Sequence, residues 1–125
     1  ATEVDGKIWV IGGRSTQVVD HPQFEDKTIS MDMVDQQIDI YDIAADSWDT
    51  IKKFEKATAS GASFSLESGS LYYAGGFDDA YIATDEVVKI DTRKYISDGL
   101  FEFEPVASLK VARGMIHATT VNRVG

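Results

Sequence analysis

The chain has 125 residues, 43% of them hydrophobic, and its 21 acidic and 12 basic residues give a net charge of −9. This length suits one domain at most, and the strong negative charge argues against nucleic acid as a ligand, because phosphate binding needs a basic surface. There is no cysteine, which excludes disulfides and thiolate sites, and the apolar runs are too short for a membrane-spanning helix.

The first half of the chain predicts strands joined by turns. Asp5-Gly6 is a strong hairpin signal, and the segment IWVIGG at 8–13 follows it. We name the strand before such a turn strand a, and the strand that runs into the glycine pair strand b. Residues 14–36 are polar and interrupted by His21-Pro22, which predicts a loop. Residues 37–43 alternate and are rich in β-branched residues, which predicts strand c, and residues 48–51 open strand d.

The second half repeats this order. Residues 61–66 predict strand a, Ser68-Gly69 takes the place of the first turn, and the segment LYYAGG at 71–76 repeats strand b 63 positions later. Residues 77–85 form a shorter acidic loop, residues 86–90 predict strand c, and Asp98-Gly99 predicts a turn before strand d at 100–104. Residues 113–121 are interpreted as a third strand a. The predicted order is therefore b-c-d-a-b-c-d-a, cut within the a–b hairpin at both ends, and a repeat of this length indicates stacked or radial units.

The first unit resembles the Kelch repeat, in which an apolar strand ends in Gly-Gly and is followed by a Tyr, six residues and a Trp. Gly12, Gly13, Tyr41 and Trp48 match this pattern, with residues 42–47 between the last two. The stretch between Gly13 and Tyr41 is longer than the pattern requires. The resemblance spans nearly the whole chain, although only this unit carries the full signature.

The second unit departs from the pattern. Gly75 and Gly76 form its glycine pair, Ile90 stands at the Tyr position, and Phe101 is expected to serve for the Trp after an insertion. The resemblance implies an all-β fold, a β-propeller with two four-stranded antiparallel blades at about 7–66 and 70–122. Tyr41 and Trp48 would then pack between blades.

Two units cannot close a propeller. A propeller needs at least four blades, and repeat arrays generally need three or more units for stability. Two units leave two sheet faces bare, so we expect either that the chain is part of a larger propeller or that symmetry copies assemble. In both cases further blades are the expected partners of these faces.

Any recognition is expected on loops at one end of the sheets. Alternate connections of an up-and-down sheet emerge on the same side, so the b–c loops (14–36 and 77–85) share a face with the d–a links (53–60 and 105–112). Loops held on a rigid scaffold commonly carry function. We predict a non-catalytic protein-interaction module that binds a protein partner through this loop face, with the candidate residues Arg14, Asp20, His21, Phe24, Asp78, Asp79, Tyr81 and Arg113.

Signals for catalysis are weak. The only histidines are His21 and His117, too few for a multi-histidine metal site, and no nucleophile elbow, dinucleotide fingerprint or phosphate loop occurs. Paired acids such as Asp78-Asp79 are more typical of solvated loops than of a glycosidase pair. We therefore expect no catalytic residue, no metal and no cofactor. The alternative function is a carbohydrate-binding or carbohydrate-processing propeller of an extracellular protein.

Overall fold

The computed structural model describes residues 1–34, 36–51, 58–78 and 80–121 of the chain. Within these ranges it contains one short helix and a majority of β-strands, which agrees with the predicted all-β class. The elements are β1 Thr2–Val4, β2 Lys7–Ile11, β3 Arg14–Asp20, β4 Thr28–Val34, β5 Ile38–Asp42, β6 Ser47–Ile51, β7 Ala62–Phe64, β8 Ser70–Ala74, β9 Val87–Asp91, α1 Thr92–Asp98 and β10 Phe103–Pro105. Among the described residues, no helix is both long and apolar enough to cross a membrane.

Two four-stranded antiparallel sheets form the body of the molecule. Sheet 1 has the order β1-β2-β5-β6 and sheet 2 the order β7-β8-β9-β10, so each sheet contains strands a, b, c and d side by side. Val4 pairs with Lys7 across Asp5-Gly6, and both turn residues have positive φ, 51° and 82°, as a two-residue type I′ turn requires. The described chain therefore already contains a strand a, β1, paired with the first strand b, whereas the predicted order began with strand b.

The hydrophobic core lies between the two sheets. Trp9, Ile38, Leu71 and Ile90 are its large, completely buried side chains. Burial of such side chains from both sheets is the main favourable contribution to folding, since each is worth about 1.5–3 kcal/mol. The core cluster of buried residues consists of Val4, Trp9, Ile38 and Ile40 from sheet 1 and Leu71, Tyr73, Val88 and Ile90 from sheet 2.

The two sheets contact each other through opposite faces. Side chains alternate across a strand, so we define the front face of each sheet as the side of Trp9 in sheet 1 and of Tyr72, 63 positions later, in sheet 2. The back face is the side of Ile8 in sheet 1 and of Leu71 in sheet 2. Because Trp9 and Leu71 belong to one core cluster, the front face of sheet 1 packs against the back face of sheet 2.

The back face of sheet 1 has no neighbouring sheet within the described residues. The strand register places Ile8, Tyr41 and Trp48 in one row across three strands of this face. The rings of Tyr41 and Trp48 lie 5.1 Å apart, and the Trp48 side chain is 62% exposed. The packing between blades that the resemblance implies for these two residues is therefore not provided by the described chain.

Residues 14–36 are not the loop that their polarity predicted. They contain β3 and β4, which pair with each other from Arg14 opposite Val34 to Asp20 opposite Thr28 and form a separate two-stranded sheet. The core cluster of the described residues includes none of theirs. The polar residues and the His21-Pro22 break favoured a loop, although Ile29, Met31 and Met33 alternate with polar residues as a strand requires.

The predicted turn at Asp98-Gly99 is instead the end of α1. The Asp91 carboxylate accepts a hydrogen bond from the Lys94 N–H as the N-cap, and Gly99, with φ of 71°, ends the helix and donates its N–H to the Tyr95 carbonyl. A side-chain N-cap and a left-handed glycine are the usual boundaries of a helix. The link between strands c and d of the second unit is therefore helical.

Two further expectations about the second unit are wrong. Phe103 pairs with Ile90 as Trp48 pairs with Tyr41, so Phe103 rather than Phe101 occupies the Trp position, because α1 lengthens the connection. Residues 113–121 are described but contain no strand. A third strand a lacks a strand b beside it in the described chain, and without that ladder it does not form.

Candidate functional site

The glycine pairs place the d–a links beside the b–c loops. The Gly13 N–H donates to the Thr58 carbonyl at 2.9 Å, and the Gly76 N–H donates to the Arg113 carbonyl at 2.7 Å. Gly12 has a left-handed φ of 64°, and a Cβ there would collide with the Thr58 carbonyl oxygen. In both units the link after strand d therefore crosses the end of strand b, and loops and links lie together at one end of the sheets.

The loop face joins the two units. Ala59, in the first d–a link, and Phe77, in the second b–c loop, exchange backbone hydrogen bonds of 3.1 and 2.8 Å. The following residue, Ser60, has a positive φ of 60°, and Met115 repeats this at the equivalent place in the second link with φ of 53°. The second link continues beyond residue 112, because residues 113–121 contain no strand. Shared backbone bonds make the loop face one structure rather than two independent sets of loops.

Asp78 organises the second b–c loop. Its carboxylate accepts hydrogen bonds from the N–H groups of Ala80 at 2.9 Å and Ile82 at 3.0 Å, a local turn that short acidic side chains favour. The loop presents Tyr81 and Ile82, which are 47% and 63% exposed. Asp78 is thus a positioning residue for its neighbours, whereas Asp79 lies outside the described residues.

Arg14 and Tyr81 are brought together across the two units. The Arg14 guanidinium carbon lies 5.1 Å from the centre of the Tyr81 ring, within the range of a cation–π contact. Its Nη2 also donates to the Tyr81 hydroxyl at 3.4 Å. The contact connects the base of the β3–β4 hairpin with the second b–c loop.

Another group of candidate residues lies at the tip of this hairpin. The rings of His21 and Phe24 are 4.9 Å apart, the Lys27 ammonium lies 5.0 Å from the Phe24 ring centre, and Asp20 ends β3. Because a strand rises roughly 3.3 Å per residue, the tip is about 20 Å from Arg14. The structure therefore does not combine the tip residues with the Arg14–Tyr81 pair in one site.

Arg113 contributes to the loop face mainly through its backbone. Its N–H donates to the Thr84 carbonyl at 3.1 Å, and its carbonyl accepts the Gly76 N–H. The exposed side chains of Val111 and Met115, 58% and 78% exposed, flank it in the second link. Sequence reasoning missed Ile82, Val111 and Met115; the available signal was an isolated apolar residue within a polar connection.

The titrating groups with the clearest shifts lie away from the loop face. The Tyr95 hydroxyl of α1 donates to the Asp49 carboxylate of β6 at 2.6 Å, which raises the pKa of Tyr95 to about 12. The hydrogen bond from Lys7 lowers the pKa of Asp42. Both pairs connect structural elements. Among the described residues, no group of three or more histidines or carboxylates is placed to hold a metal ion.

No family model matches this sequence, and no curated protein matches it. The resemblance to the Kelch repeat therefore depends on the residues of this chain alone.

Proposed function

We propose that the chain is a two-blade portion of a Kelch-type β-propeller and that it acts as a non-catalytic protein-interaction module through its loop face. The proposal has two parts, an architecture and a binding surface. They depend on different residues, so each can be tested without the other.

The front-to-back contact between the sheets supports the propeller. Units repeated by one constant rotation must use two different faces, one towards the preceding unit and one towards the next. Trp9 on the front of sheet 1 and Leu71 on the back of sheet 2 meet this condition. The glycine-to-link bonds, at Gly13 and again at Gly76, repeat the same connection in both units.

The observation that carries the binding proposal is the group of exposed apolar side chains on the loop face. The second b–c loop and the second d–a link are joined by the hydrogen bond from Arg113 to Thr84. Exposed apolar patches commonly mark interaction sites, and tyrosine, methionine and arginine are enriched in protein interfaces. The exposed large apolar residues that the structure describes in these two segments are Tyr81, Ile82, Val111 and Met115, with Arg14 against Tyr81.

A selection from a displayed random-peptide library on the immobilised chain would test this surface. The affinity of each selected peptide is then measured by calorimetry for Ile82→Ala and for a matched control, Ile96→Ala. Ile96 is also an exposed isoleucine, at 48%, but α1 follows strand c and lies at the opposite end of sheet 2. A central apolar anchor is worth more than about 1 kcal/mol, so Ile82→Ala should weaken binding about tenfold, while Ile96→Ala should leave it unchanged.

Deletion of residues 14–36 provides the second arm, since it removes the hairpin and the Arg14 contact. Peptide binding that is unaffected by this deletion and by Ile82→Ala would contradict the loop-face proposal. Binding to a glycan array with no selected peptide would favour a carbohydrate-binding propeller instead.

A further inference from the structure

A small cavity lies between the two units, at the end of the sheets where the a–b turns are. Its volume is about 210 Å³, below the roughly 300–1,000 Å³ of sites for drug-sized ligands. Unit 1 lines it with residues of β1, the following turn and β2, and unit 2 lines it with residues of α1. This end is opposite the glycine pairs, so the cavity is separate from the loop face.

Two buried polar groups beside this cavity have no hydrogen-bond partner among the described residues. They are the indole Nε1–H of Trp9 and the hydroxyl of Thr92. Trp9 is completely buried, Thr92 is 2% exposed, and both residues line the cavity. Buried polar groups in proteins are nearly always hydrogen-bonded, because an unpaired one loses its hydration without replacement. The two groups therefore mark the cavity as a place where a further hydrogen-bonding group would be stabilised.

The surrounding contacts hold both groups in place. The Trp9 ring meets the Tyr95 ring edge to face, with centres 5.9 Å apart and planes at 74°, and the Tyr95 hydroxyl is itself bonded to Asp49. The Thr92 N–H donates to the Gly69 carbonyl at 3.1 Å. Groups that are fixed before a ligand arrives lose little conformational entropy when it binds.

The charged residues that line the cavity already have partners. The Lys7 ammonium forms an ion pair with Asp42, and the Arg93 guanidinium donates to the Ser68 hydroxyl at 3.0 Å. The Asp5 carboxylate accepts the hydrogen bond of that hydroxyl at 2.7 Å. A charged ligand would have to compete with these contacts, whereas a neutral ligand would leave them intact.

Water alone suits the cavity poorly. One water takes up about 30 Å³ in the liquid, so several would fit, and a buried water typically makes about three hydrogen bonds. The two unpartnered groups of Trp9 and Thr92 cannot supply that many, and the buried Val4 side chain in the lining offers none. A molecule with one oxygen and an apolar remainder suits both kinds of lining.

We propose that this cavity binds a small neutral organic molecule that is mainly apolar and carries a hydroxyl or carbonyl oxygen. The oxygen accepts the hydrogen bond of the Trp9 Nε1–H, and the Thr92 hydroxyl is a second polar contact. The apolar part packs against the Trp9 ring and Val4. Because such a ligand touches both units, its binding stabilises the contact between them. The inference does not depend on the loop face or on further units before or after this chain.

A two-dimensional proton–nitrogen NMR titration of the whole chain tests the site, because its two tryptophans give two indole N–H signals, which Trp48→Phe assigns. Phenol is the probe, and toluene, with a methyl group in place of the hydroxyl, is the matched control ligand. We expect phenol at millimolar concentrations to shift the Trp9 signal to saturation. The signal of Trp48, which is 62% exposed on the back of sheet 1, should move little. Toluene should bind at least about fivefold more weakly, because it leaves the indole N–H unpaired.

Thr92→Val removes the hydroxyl and nearly keeps the shape of the side chain. Thr50→Val is the control variant, because it removes a hydroxyl that donates to Asp39 outside the cavity. Thr92→Val should weaken phenol binding about fivefold without weakening toluene binding, and Thr50→Val should change neither. Urea unfolding without ligand adds a second readout: Thr92→Val should not lower the free energy of unfolding, because the hydroxyl that it removes has no partner.

Three results would overturn the proposal. The first is a Trp9 signal that shows no saturable shift with phenol, cyclohexanol or cyclohexanone. The second is toluene binding as tightly as phenol, which an entirely apolar cavity would favour. The third is phenol binding that Thr92→Val leaves unchanged, with circular dichroism showing that the variant is folded.

Discussion

The substitution Gly12→Ala tests the contact on which the repeat depends. Gly12 has φ of 64°, and a Cβ at this position would collide with the Thr58 carbonyl oxygen and lie 2.8 Å from the Thr58 Cγ2. Gly99 is a matched control, because its φ is 71° and no atom lies within 4 Å of the position that a Cβ would take there. The two substitutions therefore share the cost of a left-handed backbone and differ in the collision.

The expected losses of unfolding free energy follow from these contacts. A left-handed L-residue costs about 1–2 kcal/mol, which is the whole expectation for Gly99→Ala. Gly12→Ala adds overpacking, about 1–3 kcal/mol, and strains the hydrogen bond from Gly13 to Thr58, a further loss of about 1 kcal/mol. We expect Gly12→Ala to lose about 2–4 kcal/mol more than Gly99→Ala, a large part of the roughly 5–15 kcal/mol typical of a domain.

Urea unfolding followed by tryptophan fluorescence measures this difference, because Trp9 is completely buried in the folded chain. All proteins are compared at one low concentration, since association would add to the apparent stability. Gly75→Ala tests the same contact in the second unit, because its Cβ would lie 2.7 Å from the Arg113 carbonyl oxygen. Equal losses for Gly12→Ala and Gly99→Ala would refute the argument that close approach of the link fixes the glycine pair.

Two tyrosine substitutions give further predictions. The Tyr73 hydroxyl accepts two hydrogen bonds in or near the core, so Tyr73→Phe should lower the free energy of unfolding in urea by about 1–3 kcal/mol. The Tyr72 hydroxyl makes an exposed hydrogen bond, so Tyr72→Phe should lower it by no more than about 0.5 kcal/mol. Equal losses for the two substitutions would contradict this prediction. The hydrogen bond to Asp49 raises the pKa of Tyr95 from 10.0 to about 12, so its stabilisation is complete below about pH 10 and is lost as the pH rises through about 12. Tyr95→Phe should lack this alkaline loss, and identical pH profiles of urea unfolding for the two proteins would contradict the assignment.

The strands of the two sheets were predictable because their signals are local. Asp5-Gly6 can form a two-residue turn with positive φ at both positions, and the apolar runs before Gly12 and Gly75 mark the central strands. The strands beside them alternate in a way that a sheet with a buried face requires. Local turn residues and the alternation of apolar residues were therefore enough to predict most strands of the two sheets.

The elements that sequence reasoning missed depend on other physics. The β3–β4 hairpin is held by its own backbone pairing outside the core. Ile29, Met31 and Met33 alternate with polar residues in β4, but the polar residues of the segment as a whole favoured a loop. The helix α1 has only seven residues, which is too short for a helical pattern of apolar residues to be recognised. Asp91 and Gly99 were nevertheless usable signals for the two ends of the helix. The register of the second strand d depended on the length of this helix, so Phe101 was chosen where Phe103 lies.

The candidate site was predictable as a location but not as an arrangement. Topology alone places the b–c loops and d–a links at one end, and the link hydrogen bonds at Gly13 and Gly76 put them there. The contact between Arg14 and Tyr81 joins residues 67 positions apart, which no local pattern reveals. The exposure of Ile82 likewise depends on the turn that Asp78 makes.

The comparison of equivalent residues explains why strand b of each sheet has large apolar or aromatic residues on both faces. A sheet that covers a neighbour on one side only would need a single apolar face and could carry polar residues on the other. Here Trp9 faces forwards and Leu71 faces backwards, and both are completely buried. Since each unit has residues of both kinds, the sequence of a unit is suited to neighbours on both sides.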